Sequence, residues 1–294
     1  MGGEAPIYAP DSGKTGGTAG HKANGGINMF GADSTLYIKT KLSNHMTIVE
    51  DSYFTAPFKI AKPFYDYGRK LANIVIMTAS AGIMEGDRYS INVEAGEGSA
   101  VSLQGQSFSK IHSMKNGFAL QHNNFSVEEN AFFDYNPKPT IPFAGSNFVS
   151  ETVCRLKKGA RYLYSEILAC GREKSGESFL FKQYRNCSRV YYDGRLIFLD
   201  NQLMRPETQE LSGIGFFEGF THQATLAYFH DGMDVKAIAG RIYDILEGFS
   251  DIEAGVSAAY KYGISVRILA HGSDCLENIL KVIRADISGC EAVK

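Results

Sequence analysis

Residues 79–112 read ASAGIMEGDRYSINVEAGEGSAVSLQGQSFSKIH, and their patterning decides the fold class. The stretch opens on a glycine turn that ends in an acid, Gly86-Asp87. Tyr89, Ile91 and Val93 then alternate with Ser90, Asn92 and Glu94, the period-2 pattern of a half-buried strand. Ala95-Gly96-Glu97-Gly98 is a turn, and Val101 and Leu103 alternate with Ser102 and Gln104 beyond it. The pattern predicts a buried hairpin whose polar end gathers Asp87, Gln104, Gln106, Ser107, Lys110 and His112 near one rim.

Outward from this stretch the same device recurs. In EAGEGSAVSL, VEENAFFDY and LKKGARYLY a strand ends in a charged or glycine turn and a small residue starts the next strand. The restart alanines Ala100, Ala131 and Ala160 fall about thirty residues apart. Such spacing suits stacked β layers in which each unit buries its face on the next, and equally a chance run of ordinary hairpins. Upstream, Leu36, Ile38 and Thr47–Val49 read as strands, and Leu71–Thr78 as a strand buried on both faces. The two prolines of APFKIAKPFY (Ala56–Tyr65) make that segment an extended connection. Downstream, strands are expected at Phe179–Tyr184, Ser188–Tyr192, Arg195–Leu199 and Gln223–Phe229. Helical spacing over Val235–Leu246, with Asp234 as cap and Gly248 as stop, marks one late helix. Strands at Val256–Lys261 and Ile264–Ala270 follow, then a second helix from Ser273 or Asp274 carrying Leu276, Ile279, Leu280 and Ile283 on one stripe. The fold class is therefore mainly β, stacked β-sheets of a β-helix-like or sandwich kind, with two α-helices in the C-terminal quarter to cover a sheet face. Residues 1–33, rich in glycine, bury too little to offset their ordering entropy and read as a flexible tail. Residues 34–294 read as a single β-rich domain.

Composition narrows the function classes. The 294 residues carry a net charge of −2, so no basic surface announces a nucleic-acid or anionic-membrane partner. No apolar run approaches the roughly 20 residues of a membrane helix. The first residues lack a secretory pattern, and Pro6 sits where a myristoylation signal has Ser or Thr. Five scattered cysteines with no Cys-x-x-Cys argue against a disulfide framework and a zinc site, and imply reduced thiols and a cytoplasmic location. Gly105–Ser109 only faintly resembles a serine-nucleophile turn, and Gly213–Gly219 lacks the spacing of a dinucleotide or phosphate cradle. The seven histidines include no H-x-H or H-x3-H, so no fixed high-affinity metal site is expected, whereas a transient path lined by carboxylates is compatible. Asp87, Glu166 in YLYSEIL and Glu177 are the candidate acids, with Lys110, Arg161 and Arg172 as partners. They read either as internal salt bridges or as a polar conduit. Paired carboxylates in a β-rich stack also suit a carbohydrate-active enzyme, which would need an open groove.

Four segments taken in order, GIMEGD, QSFSKIH, PKPTIPF and SEI-x3-GR-x4-GE, resemble the urease accessory protein of the UreD (UreH) type. The likeness covers about Thr40–Tyr228. Its glycine turn matches Ala81–Asp87 with Gly82 and Gly86, its Q-x-x-x-K matches Gln106–Lys110, and its proline run matches Pro137, Pro139, Ile141 and Phe143. Its E-x5-GR-x4-GE falls on Glu166, Gly171, Arg172 and Glu177. The turn reads SAG where the family commonly has PGG, and His112 stands where Tyr is common. The resemblance implies a non-enzymatic chaperone for urease maturation. It would help deliver nickel into apo-urease, with UreF as direct partner and the GTPase UreG bound through UreF. It further implies an internal polar tunnel, for which Asp87, Lys110, His112, Glu166 and Glu177 are the candidates. No tightly bound cofactor is implied, only nickel in transit. The alternative is a structural adaptor between the GTPase complex and urease.

Overall fold

The computed structural model describes residues 33–291, with the backbone alone for 289–291. The glycine-rich tail lies outside these residues except for Asp33. In chain order the strands are β1 (Asp33–Ser43), β2 (Met46–Phe54), β3 (Phe58–Ile60), β4 (Phe64–Asp66), β5 (Leu71–Thr78) and β6 (Arg88–Ala95). Next come β7 (Ala100–Gly105), β8 (Ser109–Ile111), β9 (Ala119–Val127), β10 (Phe132–Asn136), β11 (Thr140–Pro142) and β12 (Asn147–Leu156). The rest are β13 (Arg161–Ala169), β14 (Gln183–Tyr192), β15 (Arg195–Met204), β16 (His222–His230), α1 (Val235–Glu247), β17 (Ile252–Ala258), β18 (Gly263–Ala270) and α2 (Ser273–Glu291).

Two sheets face one another. The first runs β15-β14-β12-β9-β6-β1-β2, and the second β17-β18-β16-β13-β10-β7-β5-β3, with β4, β8 and β11 attached at its side. In the middle of both, neighbours are parallel: β6, β9, β12 and β14 in the first, β5, β7, β10 and β13 in the second. The expected hairpin is therefore corrected. β6 and β7 do not pair; β6 lies in the first sheet and β7 in the second. Residues 96–99 form an arch between sheets, and each strand finds its partner in the next coil, about thirty residues away. The same crossing occurs at 128–131 and 157–160.

The arches stack. The amide of Gly98 donates to the Glu129 carbonyl at 2.9 Å, and that of Asn130 to the Lys158 carbonyl at 3.1 Å. Gly98, Asn130 and Gly159 all take left-handed backbone, φ 65°, 56° and 69°. At Gly159 the stacking leaves no choice, because a Cβ there would overlap the Asn130 side chain. The residues in register are Ser99, Ala131 and Ala160, not Ala100, since Ala100 aligns with Phe132 and Phe132 with Arg161. All three are buried.

Other expectations shift. β5 buries only Ala72 and Ile74 fully, so it has one covered face rather than two. Phe179–Lys182 is not strand, and β14 takes in Ser188–Tyr192 without interruption. The proline segment contributes the short β3 and β4, and β17 begins at Ile252 rather than Val256. Asp234 caps α1, accepting from the Ala237 amide at 3.0 Å. Gly248 ends it in right-handed rather than left-handed backbone. The helices cover the outer face of the second sheet. Ile242, Leu246, Leu276, Ile279 and Ile283 pack on Leu163, Ile167, Leu226, Val266 and Ile268. Arg284 of α2 pairs with Asp134 of β10 and donates to Ser165 at 2.6 Å, fixing the helix over the sheet.

Candidate functional site

Alternation sends every second residue of each coil into the space between the sheets. In the first sheet one inner row is Val93, Phe125, Cys154 and Val190, and the row two residues closer to the strand starts is Ile91, Asn123, Thr152 and Ser188. The next is Tyr89, Gln121, Ser150 and Asn186. In the second sheet Val101, Phe133, Tyr162 and Phe229 form one row, and Leu103, Tyr135, Tyr164 and Ala227 the next. The rows beside the arches fill with rings: Phe125–Phe133 centroids lie 4.9 Å apart and Phe133–Tyr162 5.9 Å. Beyond them the first-sheet rows are mostly polar, and a cavity of about 280 Å³ lies there.

This cavity opens beside the turn of Ser80–Gly82 and the segment Gln106–Lys110, passes Gln121, Asn123 and Thr152, and reaches Glu166 and Asn186. Its wall holds one carboxylate, Glu166, two lysines, Lys110 and Lys138, and neither histidine nor cysteine. Asn123 donates to Thr152 Oγ1 at 2.9 Å. Asn186 Nδ2 donates to both Glu166 oxygens at 2.5 and 2.6 Å. Burial pushes the Glu166 carboxyl up to about 7, the nearby Asp200 adds to this, and the Tyr164 hydroxyl, Asn186 and Arg267 oppose it. Burial, with the charge of Glu166 adding to it, raises the phenols of Tyr135, Tyr164 and Tyr184. Among the described residues no group of three or more His, Cys, Asp or Glu is placed to hold a metal ion. No helix among them is long and apolar enough to cross a membrane.

The family model of the UreD urease accessory protein matches residues 32–293. The urease accessory protein UreD of Acetivibrio thermocellus is 52% identical over 261 residues, 87% of this chain and 98% of that one. UreD of Flavobacterium johnsoniae is 35% identical over 80% of this chain and 85% of its own, and UreH of Helicobacter hepaticus 34% over 85% and 96%. The chain belongs to the UreD family.

The segments that carry the UreD likeness converge outside the cavity mouth. β8 pairs with β11, and β11 with β13. The Ser109 amide donates to the Pro139 carbonyl at 2.9 Å. His112 meets Phe143 edge-on at 4.8 Å, and Phe143 carries the Arg172 guanidinium 4.2 Å above its ring. Arg172 pairs with Glu177 through Nε at 2.9 Å and again through Nη2, and Glu177 also accepts from the Ala144 amide at 3.1 Å. The pairing with Arg172 holds the Glu177 carboxyl below the usual range. Gly171 permits this closure, since a Cβ there would come within 2.7 Å of the Glu177 carbonyl. Gly82 and Pro137 line the mouth, Gly82 with the His112 ring 2.7 Å from where its Cβ would be.

The candidate acids thus divide. Glu166 is on the cavity wall. Asp87 sits one step behind it, accepting from the Met84 amide at 2.8 Å and from the Tyr89 hydroxyl at 3.1 Å, while Tyr89 lines the cavity. Glu177 is engaged in the brace just described. Gln106 and Lys110 line the mouth, but among the described residues no ion pair joins Lys110 to Asp87 or Glu166. His112 follows β8 at the side of the second sheet, whereas His122 lies on β9 of the first, 3.7 Å from Glu151. The sequence reading missed Asn123, Thr152, Tyr164 and Asn186. Their signal is phase: Asn123 and Thr152 stand two residues before Phe125 and Cys154, on the face that elsewhere is apolar.

Proposed function

We propose that this chain is a non-enzymatic urease maturation factor whose corridor passes nickel toward apo-urease, in a complex with UreF and, through UreF, the GTPase UreG. The observation that carries the reading is the chemistry of the wall. Nickel binds imidazole and thiolate tightly, and a passage lined with them would retain it. The polar groups of this wall are amides, hydroxyls, two lysines and a single carboxylate, set among apolar side chains such as Phe58, Ile91 and Phe148. Conduction needs binding good enough to admit the ion and weak enough to release it. Lys110 near the mouth lowers cation affinity there, Lys138 is paired with Glu277 at 2.6 Å, and Glu166, deeper in, is the one carboxylate on the cavity wall. A glycosidase would need two facing carboxylates, and this cavity offers one.

The test is reconstitution with UreF, UreG and apo-urease. Glu166→Gln should assemble normally yet lower the rate of nickel loading of urease several-fold. Full loading at the wild-type rate would leave the chain as an adaptor that holds its partners together without carrying the ion.

A further inference from the structure

Past Glu166 the inner faces do not turn apolar. In the second sheet Glu166 is in register with Thr225, and Thr225 with Arg267. In the first, Asn186 is in register with Gln202 and Ser188 with Asp200. Arg267 Nη2 donates to Asp200 Oδ1 at 2.6 Å. Gln202 Nε2 donates to the other Asp200 oxygen at 3.1 Å and reaches Thr225 Oγ1 at 3.5 Å. The Asp200 side chain is 13% exposed and that of Arg267 39%. A half-solvated guanidinium therefore caps an almost buried carboxylate. Ser188 Oγ, also buried and in phase with Asn186, has no hydrogen-bond partner. A buried hydroxyl with no partner among the described residues has its bonding capacity open to a water or an ion. Glu166, Asp200, Ser188, Gln202 and Thr225 make an all-oxygen set suited to a divalent cation held weakly, with an arginine on its outward side.

We propose that Asp200 and Arg267 form the far gate of the corridor: a divalent cation leaving Glu166 takes the Asp200 carboxylate as Arg267 swings into solvent, and Arg267 closes again once the cation has gone. Arginine keeps its charge at any working pH, so Arg267 itself yields to the cation and not to protons. Its competition for Asp200 keeps the exit from becoming a trap. The gate rests on the passage reading above, and its test separates the two.

In the complex with UreF and UreG, nickel ion alone is titrated first, and hand-over to apo-urease is then timed. Arg267→Gln should raise nickel affinity roughly tenfold, as the loss of one positive charge beside the ion requires, and should slow hand-over. Arg267→Lys, which keeps the charge, should stay within about twofold of wild type. Adding Asp200→Asn to Arg267→Gln should cancel the gain. A merely structural ion pair would lower the melting temperature without raising nickel affinity, and that result overturns the gate. Should Arg267→Gln fail to fold, Asp200→Asn alone decides: reduced nickel affinity supports the gate and unchanged affinity overturns it. If Glu166→Gln slows loading while Arg267→Gln behaves as wild type, the gate is wrong and the passage stands. If Glu166→Gln loads urease at the wild-type rate, the passage itself is wrong.

Discussion

The arch end and the open end of the space between the sheets are built from the same strands, yet one is packed and the other is not. Near the arches the row Val93, Phe125, Cys154, Val190 meets Val101, Phe133, Tyr162 and Phe229, and ring contacts close the gap. One inner row further, Asn123, Thr152 and Ser188 stand where Phe125, Cys154 and Val190 stood. The backbone does not change. Only the residue type at every second position does, and with it the fate of the space. A parallel coil stack can thus carry a packed core and a polar cavity side by side, each specified by where along the strand the apolar rows stop.

The comparison can be broken by mutation. The largest effect should come from Phe133→Ala, which removes a fully buried ring from the packed end and should cost about 3–5 kcal/mol in urea denaturation. A loss under 1 kcal/mol would mean that the arch end does not hold the fold together.

Next is Glu166→Gln, read against pH. The groups that face Glu166 are Tyr164 on its own strand, Asn186 on β14, Asp200 on β15 and Arg267 on β18, with Tyr135 and Tyr184 close by. Its carboxyl lies near 7 in the fold against an ordinary 4.5. The folded chain then binds the proton more tightly than the unfolded chain, so stability falls as pH rises from about 4.5 to 7 and the full cost is present above 7. That cost is about 3 kcal/mol in the metal-free protein. The glutamine variant should be more stable than wild type by that order at pH 8, with no gain near pH 4. A wild-type stability that rises across this window relative to the variant would contradict the burial of the carboxyl.

The smallest effect should come from Thr152→Val. It takes the acceptor of Asn123 from the open end and should cost about 1 kcal/mol, because corridor water can replace the hydroxyl. A loss of about 3 kcal/mol would show that this end is dry and packed like the other.

Much of the framework was legible. The alternation over Tyr89–Val93, the recurring turns and the two amphipathic helices follow from local pattern. The arch was not, because Gly96-Glu97-Gly98 reverses the chain equally well within one sheet or between two. The choice depends on partners in the next coil, such as Val127 beside Ala95. Glu166 stood out as an acid among large apolar neighbours. Asn186, twenty residues on, and Asp200 reach it from the facing sheet, and Arg267 through the register of its own sheet, and no local pattern carries either. Glu177 looked equivalent to Glu166 because both lie in one motif, but the Gly171 turn places it on the outer brace with Arg172.

The most direct measurement is the nickel content of urease matured by the intact complex when the corridor is filled from its own wall. Ser150→Phe puts a ring into the cavity, with Ser150→Ala as the matched control. The account predicts normal assembly by both variants, wild-type nickel content with alanine, and nickel content reduced several-fold with phenylalanine. Equal nickel content with both, in complexes of equal yield, would contradict it.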